Sequence, residues 1–254
     1  MCLAVLALDA HPRYRLVAAA NRDEFHARPT QPAHWWPEAP ILAGRDLQQR
    51  GTWLGVSRNA RFAFVTNVRE PGRHDPAARS RGALVPAVLA DGRGMPQAMV
   101  SVVDAAMDCN GFNLVGATAQ SAAFGSNRGA HSQALLRGVH GVSNAGLDTP
   151  WPKLVRAKAG MATWLASATD AIDALWQVLR DETPANDDAL PDTGLTRDRE
   201  RLLSSPFIVS ETYGTRSSTI VSIDRAGVVT FVERTFDAAG TATDERAFRF
   251  QSDA

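Results

Sequence analysis

A chain of 254 residues that is 44% hydrophobic and 21% charged has the balance of a globular protein with material for a substantial core, and one domain over 1–254 is the simplest organisation. Lys+Arg and Asp+Glu each total 27, so no basic field argues for nucleic acid or an anionic membrane surface. Cys2 and Cys109 alone make no disulfide framework, and the apolar N-terminal run stops at Asp9, too short for a signal peptide or a membrane insertion; a reducing, cytoplasmic setting is expected.

Leu3 to Leu8 reads as a strand buried on both faces, and a second strand, Leu16 to Ala20, follows the turn signal Asp9-Ala10-His11-Pro12. If the two pair as a hairpin, Asn21-Arg22-Asp23-Glu24 returns near Cys2. Removal of Met1 would leave the Cys2 thiol beside its own α-amine. The thiolate is the reactive form, its ordinary pKa is about 8.5, and an amine titrating near about 7.7–8.0 can act as its base.

Residues 25–52, rich in Pro, Trp, Arg and Gly, suit a long ordered loop, with Trp35-Trp36 as a lid over the core. Residues 52–57 and 61–67 then form a hairpin around Arg58-Asn59-Ala60, and Asn67 closes its second strand with an amide donor. Arg69, Arg73, Arg79 and Arg81 lie in a loop that is either simply solvated or able to grip a carboxylate or phosphate. A helix follows from about Arg81 to Asp91-Gly92, with Leu84, Val85, Val88 and Leu89 on one face, and another covers 95–107.

Asn110-Gly111-Phe112-Asn113 turns into a strand over 114–118 with its return over 122–126, and Cys109, without activating neighbours, is structural. A strand over 137–144 ends at Asn144. Asp148-Thr149-Pro150 starts a helix with Trp151, Leu154, Val155, Ala162 and Leu165 on its apolar face, and Ile172, Leu175, Trp176 and Leu179 mark a second. Residues 181–200 read as a surface loop with one helical turn. Strands are expected at 206–210, 217–224, 227–235 and 246–250, with a loop at 213–216 delivering Arg216. Strands, helices, strands, helices and a last run of strands favour a layered α+β fold with largely antiparallel sheets.

Metal and nucleotide chemistry find no foothold. There is no H-E-x-x-H, C-x-x-C or phosphate loop, and the histidines at 11, 26, 34, 74, 131 and 140 lack ligand spacing. What remains is an N-terminal thiol, a charged tetrapeptide, and Asn67 and Asn144 at strand ends. A nucleophile, a base and amide donors for an oxyanion are the components of acyl transfer.

The strings Asn21-Arg22-Asp23-Glu24-Phe25 with Arg28-Pro29, Gly51-Thr52-Trp53-Leu54-Gly55, Thr66-Asn67-Val68-Arg69, Asn110-Gly111-Phe112-Asn113-Leu114, Ser143-Asn144 with Trp151-Pro152-Lys153, and Tyr213-Gly214-Thr215-Arg216-Ser217-Ser218 resemble the NRDE family, the family of the transport-and-Golgi-organisation-2 protein. The resemblance runs from residue 1 to about 235. It implies the four-layer αββα fold of N-terminal-nucleophile (Ntn) hydrolases and, from the eukaryotic members, links to haem trafficking and lipid metabolism. A more distant similarity is to the cholylglycine hydrolase and penicillin V acylase group, which also begin Met-Cys. Their Arg-Asn-x-Asp motif differs from the order here: Arg22 is the counterpart of their arginine, and either Asp23 or Glu24 stands for their aspartate.

These resemblances imply a hydrolase of amide or related acyl bonds that requires no cofactor. Cys2 would be the nucleophile, Arg22 and Asp23 would orient amine and thiolate, and Asn67 and Asn144 would stabilise the oxyanion. Glu24, Trp53, Arg69 and Arg216 would contact a small acyl or amide substrate. The alternative is a non-catalytic carrier of haem or an acyl lipid, with residues 25–53 forming an apolar groove.

Overall fold

The computed structural model describes residues 3–129, 131–167 and 169–253. Strands β1 (Leu3–Leu8) and β2 (Tyr14–Phe25) form the expected hairpin, with Leu8 opposite Leu16 and Leu3 opposite Asn21. All of β1 is buried because its alternating side chains enter two different cores. Leu3, Val5 and Ala7 pack toward helices, while Ala4, Leu6 and Leu8 pack toward a second sheet.

Residues 25–52 are not the expected loop. They carry β3 (Thr30–Trp35) and β4 (Ile41–Asp46), a hairpin at the edge of that second sheet. Pro32 is tolerated because β3 is an edge strand whose register shifts between Gln31 and His34. Trp36 is buried in the core under two helices, whereas Trp35 packs edge-on against Phe250 with centroids 5.0 Å apart.

Strands β5 (Leu54–Ser57) and β6 (Phe62–Asn67) follow as expected, then helices α1 (Leu84–Ala90) and α2 (Met95–Asp104). Strands β7 (Phe112–Ala117), β8 (Ala122–Ser126), β9 (Ser132–Leu135) and β10 (Gly138–Val142) precede helices α3 (Pro152–Ala166), α4 (Ala174–Leu179) and α5 (Arg197–Leu202). The chain closes with β11 (Tyr213–Asp224), β12 (Val228–Phe236) and β13 (Ala242–Gln251).

Among the described residues the strands form two antiparallel sheets, ordered β10-β1-β2-β11-β12-β13 and β3-β4-β5-β6-β7-β8-β9. Their inner faces meet in one core that includes Leu6, Ala18, Phe62, Phe64, Val221 and Phe231. A second core lies between the seven-stranded sheet and α1 and α2, and a third between the six-stranded sheet and α3 and α4. The layering is therefore helix, sheet, sheet, helix, an α+β architecture in which inner strands such as β1 and β7 are buried on both faces.

Three further expectations change. Residues 213–216 belong to β11 and are not a loop. Residues 206–210 form no strand, because Phe207 N–H donates to the Asp181 carbonyl and Ile208 N–H to Thr215 Oγ1, away from any ladder. Helix α3 starts at Pro152 rather than at Asp148-Thr149-Pro150, since Asp148 adopts a left-handed φ of 54° and its carboxylate accepts from Gly141 N–H and Lys158. No helix among the described residues is long and apolar enough to cross a membrane.

Candidate functional site

Beyond the Leu3–Asn21 pair, the Arg22-Asp23-Glu24 stretch of β2 pairs with β11. Strand alternation divides the tetrapeptide between two faces. Asn21, fully buried, donates from Nδ2 to the carbonyls of Leu179 and Pro206, each at 2.8 Å, and accepts from Ser218 Oγ at 2.6 Å. Asp23 Oδ1 accepts from Thr215 Oγ1 at 2.7 Å, and that same hydroxyl accepts from Ile208 N–H. Asn21 and Asp23 thus pin the segment around residues 206–208 beside the sheet.

Arg22 and Glu24 line a cavity of about 290 Å³ instead, together with Arg28, Asp46, Trp53, Asn67, Arg79, Arg81 and His74. The Arg22 guanidinium lies over the Trp53 ring, 4.3 Å from its centroid, and donates to Thr30 Oγ1 at 3.1 Å. Burial holds its pKa below the usual guanidinium range, against the pull of Glu24 and Asp46. No carboxylate of the described residues reaches within 4 Å of it. Arg28, by contrast, is paired with Asp46 at 2.7 Å and lies 3.8 Å from Glu24.

The two asparagines converge from distant strands. Asn144 Nδ2 donates to the Asn67 carbonyl at 2.9 Å, and Arg69 N–H donates to the Asn144 carbonyl at 2.7 Å. Asn113 ties the same rim, donating to Thr66 Oγ1 and to the Ala145 carbonyl. Asn67 lines the cavity, while Asn144 sits buried behind it.

Arg69 and Arg216 are turned to structural partners. The Arg69 guanidinium pairs with Glu200, which is 2% exposed, and lies over Trp151 at 4.7 Å. Arg216 is the extra residue of a bulge, since Thr215 faces Asp23 and Ser217 faces Arg22. The bulge aims its guanidinium at the carbonyls of Phe25, His26 and Arg28, closing the turn after β2. Cys2 lies outside the described residues. Cys109 is buried, and burial pushes its thiol pKa up, as suits an inert core cysteine.

Behind the Arg22–Trp53 stack the structure adds residues to which sequence reasoning assigned no role. A smaller chamber of about 160 Å³ is lined by Arg22, Thr30, Trp53, Ser217, Glu233 and Thr235, among others. Glu233, 1% exposed, stands between the sheets and accepts from Ala33 N–H at 2.7 Å. Desolvation pushes its carboxyl up to about 7, against the pull of that hydrogen bond and of Arg22. The signal was present in the alternation of β12, where Val229, Phe231 and Glu233 share the inward parity. Among the described residues no cluster of His, Cys, Asp or Glu could hold a metal.

A family model described as Transport and Golgi organisation 2 matches residues 1–238. The chain is 32% identical over 278 residues to the Transport and Golgi organization 2 homolog of Mus musculus, an alignment covering 99% of this chain and 100% of that protein. It is 33% identical over 284 residues to the Transport and Golgi organization protein 2 homolog of Bos taurus, covering 99% of this chain and 100% of the bovine protein. The homolog of Homo sapiens is 35% identical over 256 residues, covering 92% of each chain. With the model spanning nearly all of the sequence and these relatives matched along almost their whole length, the chain belongs to the Transport and Golgi organisation 2 family.

Proposed function

We propose that the protein hydrolyses amide or related acyl bonds with Cys2 as nucleophile once Met1 has been removed. The observation that carries this reading is the register of β1 on β2. Leu3, the chain neighbour of Cys2, stands opposite Asn21, next to the residues Arg22 and Glu24 that line the polar cavity. The helix, sheet, sheet, helix layering also matches that of Ntn hydrolases.

In the proposed reaction the Cys2 α-amine takes the thiol proton, and the thiolate adds to the substrate carbonyl carbon. Arg22 and Asp23 orient the amine and the thiolate. Amides of Asn67 and Asn144 donate to the oxyanion; Asn144 Nδ2 commits one N–H to the Asn67 carbonyl and keeps a second. Collapse breaks the C–N bond, and the leaving nitrogen takes the proton held by the α-ammonium. Water then cleaves the thioester and regenerates the thiol. No step requires a cofactor.

The cavity lining favours a substrate with polar groups at the scissile end. Arg22, Glu24, Arg28, Asp46 and Asn67 offer hydrogen bonds and charge, a poor bed for a porphyrin or an acyl tail. Intact-mass measurement of the purified protein is the direct test, and quantitative retention of Met1 would overturn the mechanism. With Met1 removed, Cys2→Ala should abolish labelling by an electrophilic acyl probe without lowering thermal stability; undiminished labelling would also overturn it.

A further inference from the structure

The chamber behind the Arg22–Trp53 stack shares that wall with the cavity assigned to hydrolysis, and its Ser217 hydroxyl lacks a partner that a bound ligand would supply. We propose that this chamber is a second binding site, for a small carboxylate anion held between the Arg22 guanidinium and the Ser217 hydroxyl.

Three observations support it. The Arg22 side chain is buried at 4% exposure with one hydrogen bond, to Thr30, and no carboxylate within 4 Å among the described residues. A buried cation without a counter-charge is costly, and an anion in the chamber would relieve that cost. Ser217 Oγ is buried and has no hydrogen-bond partner among the described residues, although it lines the chamber. A hydroxyl there is a donor awaiting an acceptor.

Glu233 completes the site. Its Oε1 is engaged by Ala33 N–H, and its Oε2 has only a long contact, 3.5 Å, with Thr219 Oγ1. While protonated, Glu233 can donate to a carboxylate oxygen; once ionised, it repels one. The charges that bear on it are Arg22 from β2 and Arg246 from β13, and Arg216 from β11 lines the chamber with its guanidinium bonded to backbone carbonyls. Edge strand β3 presents the Ala33 amide, and His34 on that strand is turned to the Pro32 carbonyl. The chamber has a volume of about 160 Å³. Such a space has room for a carboxylate of two or three carbons.

The test is titration of the full chain with sodium acetate and sodium propionate at constant ionic strength, followed by backbone amide shifts at Ala33, Ser217 and Glu233. It is run at about pH 6 and about pH 8, either side of the Glu233 carboxyl. Saturable shifts are expected with dissociation constants in the millimolar range, about ten-fold weaker at the higher pH as protonated Glu233 is depleted. Ser217→Ala should weaken binding several-fold at both pH values. Glu233→Gln should retain binding and lose its pH dependence. No saturable shift at either pH, equal shifts with chloride, or unchanged binding in Ser217→Ala would overturn the assignment. Because none of these readouts involves Cys2, they stand or fall apart from the hydrolase reading.

Discussion

The Arg22 guanidinium, on the six-stranded sheet, lies 4.3 Å from the ring centroid of Trp53, which enters the seven-stranded sheet just ahead of β5. This contact joins the two sheets and forms the common wall of both cavities. Trp53→Phe keeps an aromatic body and weakens the cation–π attraction. A loss of about 1–2 kcal/mol is expected, read as a lower urea midpoint at an unchanged slope.

Glu233 gives stability a distinctive pH dependence. Its folded-state value of about 7 lies above the ordinary 4.5, so the neutral carboxyl is favoured in the folded protein. That contribution is fully present below about pH 4.5 and is lost as pH rises through about 7, a change of about 3 kcal/mol. Glu233→Gln stays neutral and keeps an acceptor for Ala33. The stability of the wild type relative to this variant should therefore fall across that window in denaturant titrations.

Arg69 and Glu200 form a buried pair 131 residues apart in sequence, with Glu200 also accepting from Thr193. Arg69→Ala leaves that carboxylate buried without its cation and should cost about 3–5 kcal/mol by chemical denaturation. Pairing Arg69→Met with Glu200→Gln removes both charges and should recover much of that loss.

Gly51 packs against the Gly82 backbone where the cavity wall closes, and Thr52 N–H donates to the Gly82 carbonyl at 3.0 Å. A Cβ at position 51 would lie 2.4 Å from the Gly82 carbonyl carbon and oxygen, and backbone cannot swing aside as a flexible side chain can. Gly51→Ala should cost about 1–3 kcal/mol. Faster amide exchange at Thr52 should accompany that loss.

Local pattern carried much of the fold. The apolar run of β1, the 52–67 hairpin, the amphipathic face of α1 and the return strand at 122–126 were legible because side-chain periodicity is a property of neighbouring residues. It misled where long-range pairing overrode composition. The proline-rich 25–52 segment became an edge hairpin, and Thr215 anchors 206–210 outside any ladder.

The sequence by itself determined the layered α+β class, the family through its ordered motifs, and the placing of Asn67 and Asn144 near strand ends. Only the tertiary structure decided which side chains meet. It set Asn21 and Asp23 against the 206–208 segment and turned Arg22 and Glu24 into the cavity. It also committed Arg69 to Glu200 and buried Glu233 between the sheets. Alternation along a strand fixes that neighbours face opposite ways, but which face holds a helix and which a cavity depends on packing between layers distant in sequence.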